Sequence, residues 1–210
     1  MKLKICGLKH PENVRQLLTL GPDYLGFIFY EESPRYVGAL PALNWIKELP
    51  GEAIKVGVFV NEDLERMKHV ALTLGLQTIQ LHGDEQPAIC EALKKTGLEV
   101  WKAFGLNEDF DFEKTKPYVG VCDKFLFDTK GKNRGGNGLA FDWSLLEKYD
   151  GETPFVLSGG IGPEDAKLIS GFGFRISERL HAVDINSRFE TEPGLKDFER
   201  VKKFKHELFS

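Results

Sequence analysis

The feature that most constrains this chain is a repeated alternation of short β-rich runs with longer amphipathic stretches. The runs predicted as strands are Leu3–Cys6, Tyr24–Phe29, Ala53–Val60, Thr78–Leu81, Val100–Phe104, Lys124–Phe127, Phe155–Leu157 and Ala182–Ile185. Several are almost continuously apolar, as strands covered on both faces of a parallel sheet must be. Between them, Val14, Leu17 and Leu18 share a helical face, as do Leu43, Ile46 and Leu49, and further on Leu64, Met67, Ala71 and Leu74. Pro11, Pro41 and Pro163 suit first helical turns, and Asn61, Asp84 and Asp142 are candidate caps. The stretch 107–123 reads only weakly as helix. Phe198, Val201 and Phe204 mark a last helix with a solvated outer face.

Eight such units in 210 residues average about 26 residues each, close to the lower size limit of a (β/α)8 TIM barrel. The competing arrangement, a doubly wound open sheet, usually has fewer strands. No linker, low-complexity tract or composition break divides the chain, so residues 1–210 are expected to form one α/β barrel domain.

Composition removes whole classes of function. There are 28 Lys and Arg against 32 Asp and Glu, a formal charge of −4, and this mild, interspersed acidity speaks against a nucleic-acid surface or a basic membrane anchor. Three cysteines make no disulfide framework and suit a reducing compartment. Met1-Lys2-Leu3-Lys4 lacks the apolar stretch of a signal peptide, and no run reaches the roughly 18 apolar residues of a spanning helix. The expectation is a soluble cytoplasmic protein.

In a barrel, chemistry gathers at the C-terminal strand ends. The sequence puts there Cys6-Gly7, Ser33-Pro34-Arg35-Tyr36, Gln80-Leu81-His82-Gly83, Phe127-Asp128, the glycine-rich 131–138 segment, Ser158-Gly159-Gly160 and Asp184-Ile185-Asn186-Ser187. A thiol, a guanidinium, an imidazole and a carboxylate thus share one rim with two phosphate-sized loops. The five histidines show no metal-ligand spacing.

Taken in order, Lys4-Ile5-Cys6-Gly7-Leu8, Gly26-Phe27-Ile28-Phe29, Ser33-Pro34-Arg35-Tyr36-Val37, Gln80-Leu81-His82-Gly83, Phe127-Asp128, Gly135-Gly136-Asn137-Gly138, Ser158-Gly159-Gly160-Ile161, Asp184-Ile185-Asn186-Ser187 and Pro193-Gly194-Leu195-Lys196-Asp197 resemble the phosphoribosylanthranilate isomerases. The matches run from residue 2 to residue 197. The resemblance implies an enzyme of tryptophan biosynthesis that performs an Amadori rearrangement on a small molecule, phosphoribosylanthranilate, with no metal and no cofactor, as a monomer or homodimer. It departs from the family pattern at Lys9, Asn137 and Arg188.

The resemblance makes Cys6 the general base and Asp128 the general acid. A lone cysteine is most often a small buried hydrophobe, as Cys90 and Cys122 are taken to be, but Cys6 ends a barrel strand and precedes Gly7, which lets the backbone turn beside a ligand. Asp128, read alone, could cap a loop or pair with a lysine. A base thiol needs nearby positive charge, with Lys4 and Arg35 the candidates. An acid carboxyl needs burial or negative neighbours to stay protonated. Arg35 would bind the anthranilate carboxylate through its planar fork. His82 either lines that pocket or is satisfied by backbone groups. Gly159, Gly160, Asn186 and Ser187 form the expected phosphate cup, with backbone N–H groups at a helix start. Asp184 and Gly136 complete the substrate-binding set, and segment 131–138 is a candidate lid. Other phosphosugar barrels (an indole-glycerol-phosphate synthase, an epimerase) and a non-catalytic phosphate-binding relative are the alternatives. The synthase would want a lysine–glutamate pair, the epimerase metal ligands.

Overall fold

The structure is a computed structural model that describes residues 1–40, 42–129 and 142–210. Eight parallel strands close a barrel in sequence order: β1 (Lys2–Ile5), β2 (Tyr24–Ile28), β3 (Ile54–Phe59), β4 (Thr78–Leu81), β5 (Glu99–Leu106), β6 (Lys124–Thr129), β7 (Phe155–Leu157) and β8 (Leu180–Ile185). Closure comes from β1 against β8, with Lys2 opposite Ala182 and Lys4 opposite Asp184. All eight predicted runs are strands of this barrel, with no end displaced by more than two residues.

Period-two alternation divides each strand between two cores. Outward residues such as Leu3, Ile5, Phe27, Ile79, Phe125, Phe127, Leu157 and Val183 are buried against the surrounding helices, and each stabilises the fold by about 1.5–3 kcal/mol relative to exposure. Inward residues at the N-terminal end, Tyr24, Val56, Trp101, Leu126, Val156 and Ala182, form a separate apolar plug. Continued upward, the same parity brings polar side chains inward: Lys4, Gln80, Asp128, Ser158 and Asp184, all buried. The plug closes the bottom, and the polar layer opens at the top.

The outer elements are α1 (Pro11–Leu18), α2 (Asn44–Lys47), α3 (Leu64–Leu74), α4 (Pro87–Lys94), α5 (Ala166–Ser170), α6 (Phe174–Ser177) and α7 (Phe198–Leu208). Pro11 opens α1, Pro163 opens a 3-10 turn, and Asp142 caps another by accepting from the Ser144 N–H. Two expected caps are corrected. Asp63, not Asn61, caps α3, accepting from the Glu65 and Arg66 N–H groups, and the residue before α4 is Gln86 rather than Asp84. Asn61 instead adopts φ 51 and accepts from the Asp84 N–H, tying the loops after β3 and β4 together. The weak helix reading at 107–123 resolves into a 3-10 turn, Phe112–Tyr118, with Pro117 inside it. Pro41 and residues 130–141 lie outside the described residues, so the Pro41 turn, Gly136, Asn137 and the lid assigned to 131–138 do too.

After β8 the chain makes a 3-10 turn (Ser187–Phe189) and a small antiparallel hairpin, β9 (Glu190–Glu192) and β10 (Leu195–Lys196). This hairpin carries two charged side chains back to the barrel mouth.

Candidate active site

A cavity at the top of the barrel is lined by Cys6, Arg35, Gln80, His82, Asp128, Ser158, Gly159, Gly160, Asp184, Asn186 and Ser187. Of the predicted site residues, every one that is described lies on it. Cys6 and Asp128 therefore face the same space, with the Gly159-Gly160 and Asn186-Ser187 loops on its wall.

Cys6 follows β1, and its N–H donates to the Ile185 carbonyl at 2.9 Å, which anchors the thiol to the barrel seam. Gly26 on β2 makes room for it, since a Cβ there would come within 2.7 Å of the Cys6 sulfur. Beneath, the Lys4 ammonium donates to Asp184 Oδ2 at 2.9 Å with both side chains buried. Burial pushes the Cys6 thiol above its ordinary range; Lys4 and Lys196 pull it down, and Asp184 pushes it up. Burial opposes the charge on Lys4, but the facing Asp184 and Cys6 outweigh it and hold the ammonium above its usual value. Asp184 is raised by burial, with Lys4 working against that.

Arg35 and Lys4 were the expected sources of positive charge for the thiol. The second cation is instead Lys196 of β10, whose side chain is buried, donating to Asn186 Oδ1 at 2.8 Å and paired with Glu190. Burial lowers Lys196 to about 8, against the pull of Glu190. Arg35 is occupied differently: its Nε and Nη2 fork onto the Glu190 carboxylate at 2.7–3.0 Å. Burial opposes the Glu190 charge, but Arg35 and Lys196 together hold the carboxyl below its ordinary range. Sequence reasoning missed Lys196, Glu190 and Gln80 as site residues; the first two stood in or beside the quoted motifs, and the inward parity of β4 was the signal for the third.

His82 meets neither of its two expectations fully. It lines the cavity, but its ring is held by side chains: Nδ1 lies 2.9 Å from Gln80 Nε2, and Nε2 lies 3.2 Å from Asp128 Oδ2. Asp128 Oδ1 accepts from the Thr129 N–H at 2.8 Å.

The cup differs from expectation in its supports. Gly159 and Gly160 have φ of 89 and 66, a left-handed pair that only glycine adopts without strain, and a Cβ on Gly159 would strike Thr129 and Asp128 Oδ1. No long helix begins there. The elements that follow are 3-10 turns at Pro163–Asp165 and Ser187–Phe189, so the cup is a loop structure. Two departures from the family pattern act as ties between loops: Lys9 Nζ donates to the Pro34 carbonyl at 3.2 Å, and Arg188 donates to the Gly160 carbonyl at 3.2 Å while pairing with Glu164. Among the described residues, no group of three or more His, Cys, Asp or Glu could hold a metal ion, and no helix is long and apolar enough to cross a membrane.

A sequence model of the family described as N-(5'-phosphoribosyl)anthranilate isomerase matches residues 3–207. The chain belongs to the N-(5'-phosphoribosyl)anthranilate isomerase family. Relatives bearing that name include one from Parabacteroides distasonis, 46% identical over 97% of this chain and 91% of the relative. Another, from Phocaeicola vulgatus, is 43% identical over 99% of this chain and 98% of its own length. Among solved structures, the phosphoribosyl anthranilate isomerase of Thermotoga maritima superposes with a TM-score of 0.87 at 36% identity, covering 100% of this chain and 98% of its own. A phosphoribosyl anthranilate isomerase solved with reduced 1-(o-carboxyphenylamino)-1-deoxyribulose 5-phosphate superposes with a TM-score of 0.83 at 34% identity, covering 100% and 98% of the two chains.

Proposed function

We propose that Asp128 and Cys6 carry the acid and base steps of this family's reaction, in which N-(5'-phosphoribosyl)anthranilate is rearranged to the 1-(2-carboxyphenylamino)-1-deoxyribulose 5-phosphate ketose in tryptophan biosynthesis. Asp128 gives its proton to the furanose ring oxygen as the C1'–O bond breaks, and the anthranilate nitrogen supplies the electron pair that makes the Schiff base. Cys6, as thiolate, removes the C2' proton to give an enolamine, which tautomerises to the ketone. The aryl amine is part of the substrate, so both enzyme steps are proton transfers; each positioned group contributes about 10²–10⁴-fold in rate.

The observation that carries this reading is the single cavity onto which Cys6, Asp128, the glycine pair and Arg35 all open. Gly159, Gly160, Asn186 and Ser187 take the phosphate. Arg35, braced by Glu190, takes the anthranilate carboxylate through the Nη1 side that Glu190 leaves. Asp184 holds Lys4 beneath the thiol and borders the sugar. Gly136 belongs to the binding set on family resemblance alone. Residues 1–210 act as one catalytic domain in the cytoplasm, and since every proposed group comes from one chain, a monomer or a homodimer would serve equally.

The test is a fluorescence assay of phosphoribosylanthranilate consumption. Cys6→Ser and Asp128→Asn are each expected to lose most turnover while keeping the fold and the affinity for inorganic phosphate. Full activity in Asp128→Asn would remove that residue from the reaction.

A further inference from the structure

The ring of His82 sits between two side chains with different demands. Gln80 Nε2 is 2.9 Å from Nδ1, and Asp128 Oδ2 is 3.2 Å from Nε2. Gln80 is buried, and its Oε1 has no hydrogen-bond partner among the described residues. A neutral imidazole has one N–H, and the hydrogen bond made at one nitrogen decides what the other carries. An amide NH2 offers no lone pair, so the nitrogen it faces must be bare. The ring proton is then at Nε2, aimed at Asp128. Turning the amide over would engage Oε1 but leave both buried N–H donors unmet, and buried unpaired N–H groups are rarer than under-satisfied carbonyls.

We propose that Gln80 is a positioning residue for the isomerisation: it fixes His82 as the Nε2–H tautomer, whose N–H stabilises the carboxylate left on Asp128 once the ring oxygen has taken its proton. The inference rests on the acid role of Asp128 proposed above. Negative charge develops on Asp128 as the C1'–O bond breaks, and a donor already aimed at the developing charge favours that step over the resting state. Because Asp128 Oδ1 is engaged by the Thr129 N–H, Oδ2 is the oxygen that responds to His82. Among the described residues, the other charged groups facing the pair are Asp184 from β8 with Lys4 and Cys6 of β1 behind it; the Lys102–Glu85 ion pair, at 3.2 Å, lies on the outer side of the barrel.

The decisive experiment is NMR of the full chain labelled with 15N-histidine, with His82→Asn used to assign the ring signals, alongside pH profiles of kcat. Wild type is expected to show a bare Nδ1 and a protonated Nε2 on His82 at neutral pH; a protonated Nδ1 would overturn the proposal without any variant. Gln80→Met keeps the side-chain length and removes the donor. It is expected to lose the fixed tautomer, to lower kcat about tenfold, the cost of one hydrogen bond, to leave KM within about twofold, and to move one limb of the profile to higher pH. Gln80→Glu, whose carboxylate would accept a hydrogen bond from Nδ1–H, is expected to hold both nitrogens protonated. A Gln80→Met enzyme with lower kcat but an unmoved profile and the wild-type tautomer would reduce Gln80 to packing. Full activity in Asp128→Asn would instead remove the acid role while leaving the measured tautomer in place, so the two failures are distinct.

Discussion

Two buried lysines, Lys102 on β5 and Lys4 on β1, use the same charge in opposite ways. Lys102 points outward from its strand and is saturated: it donates to the carbonyls of Gly83 at 2.8 Å, Ala103 at 3.2 Å and Leu81 at 3.5 Å, and to Glu85 at 3.2 Å. Glu85 in turn accepts from the N–H groups of Gly83 and Asn61, so the pair staples the loop that follows His82. Lys4 points inward to Asp184, whose Oδ1 has no partner among the described residues, and to a thiol. A fully answered charge fixes geometry. One answered by groups that can gain or lose protons keeps a site adjustable.

The contrast can be broken most strongly at Lys102. Lys102→Met would strand the Glu85 carboxylate, and the expected loss is about 3–5 kcal/mol of stability in urea titrations, with the folded fraction keeping much of its kcat. Lys4→Met is expected to reverse the pattern: less stability lost, because Asp184 can take up a proton, but kcat/KM down by about 100-fold or more. Equal stability losses in both variants would erase the distinction. Lys196→Met sharpens it, since removing the second cation should move the rising limb of the kcat/KM profile, and the iodoacetamide reactivity of Cys6, to higher pH; an unmoved limb would leave Lys4 as the thiol's sole cation.

The smallest effect is expected at the bottom of the barrel. His181 is 2.7 Å from the Tyr24 hydroxyl, and burial, with Lys124 and Lys2, lowers it from 6.5 to about 4. Its folded value is depressed, so the unfolded chain binds more protons between those values. The stability it contributes is complete above pH 6.5 and declines as pH falls through about 4. Chemical denaturation of His181→Gln should show a shallower decline across that window than wild type.

The strands were legible because an all-covered parallel strand has to be apolar on both sides, and Phe125-Leu126-Phe127 or Phe155-Val156-Leu157 satisfy that in three letters. Strand ends located the cavity residues as well, since barrel topology alone sends Cys6, Asp128 and Asp184 to the same mouth. What the linear text hid was pairing across it. Nothing near Arg35 announces Glu190, 155 positions later, and nothing near Cys6 announces Lys196. The misplaced caps have a local cause: Asn61 and Asp84 are good capping types, yet each is engaged in the contact between neighbouring loops, and the capping at α3 falls to Asp63.

The hairpin after β8 also sets a schedule for synthesis. Arg35 and the thiol emerge early from the ribosome, but the brace for one and the second cation for the other reside in Glu190 and Lys196. A nascent chain can therefore assemble most of its staves and still lack a braced Arg35 and a second cation for the thiol until Glu190 and Lys196 fold back across the mouth.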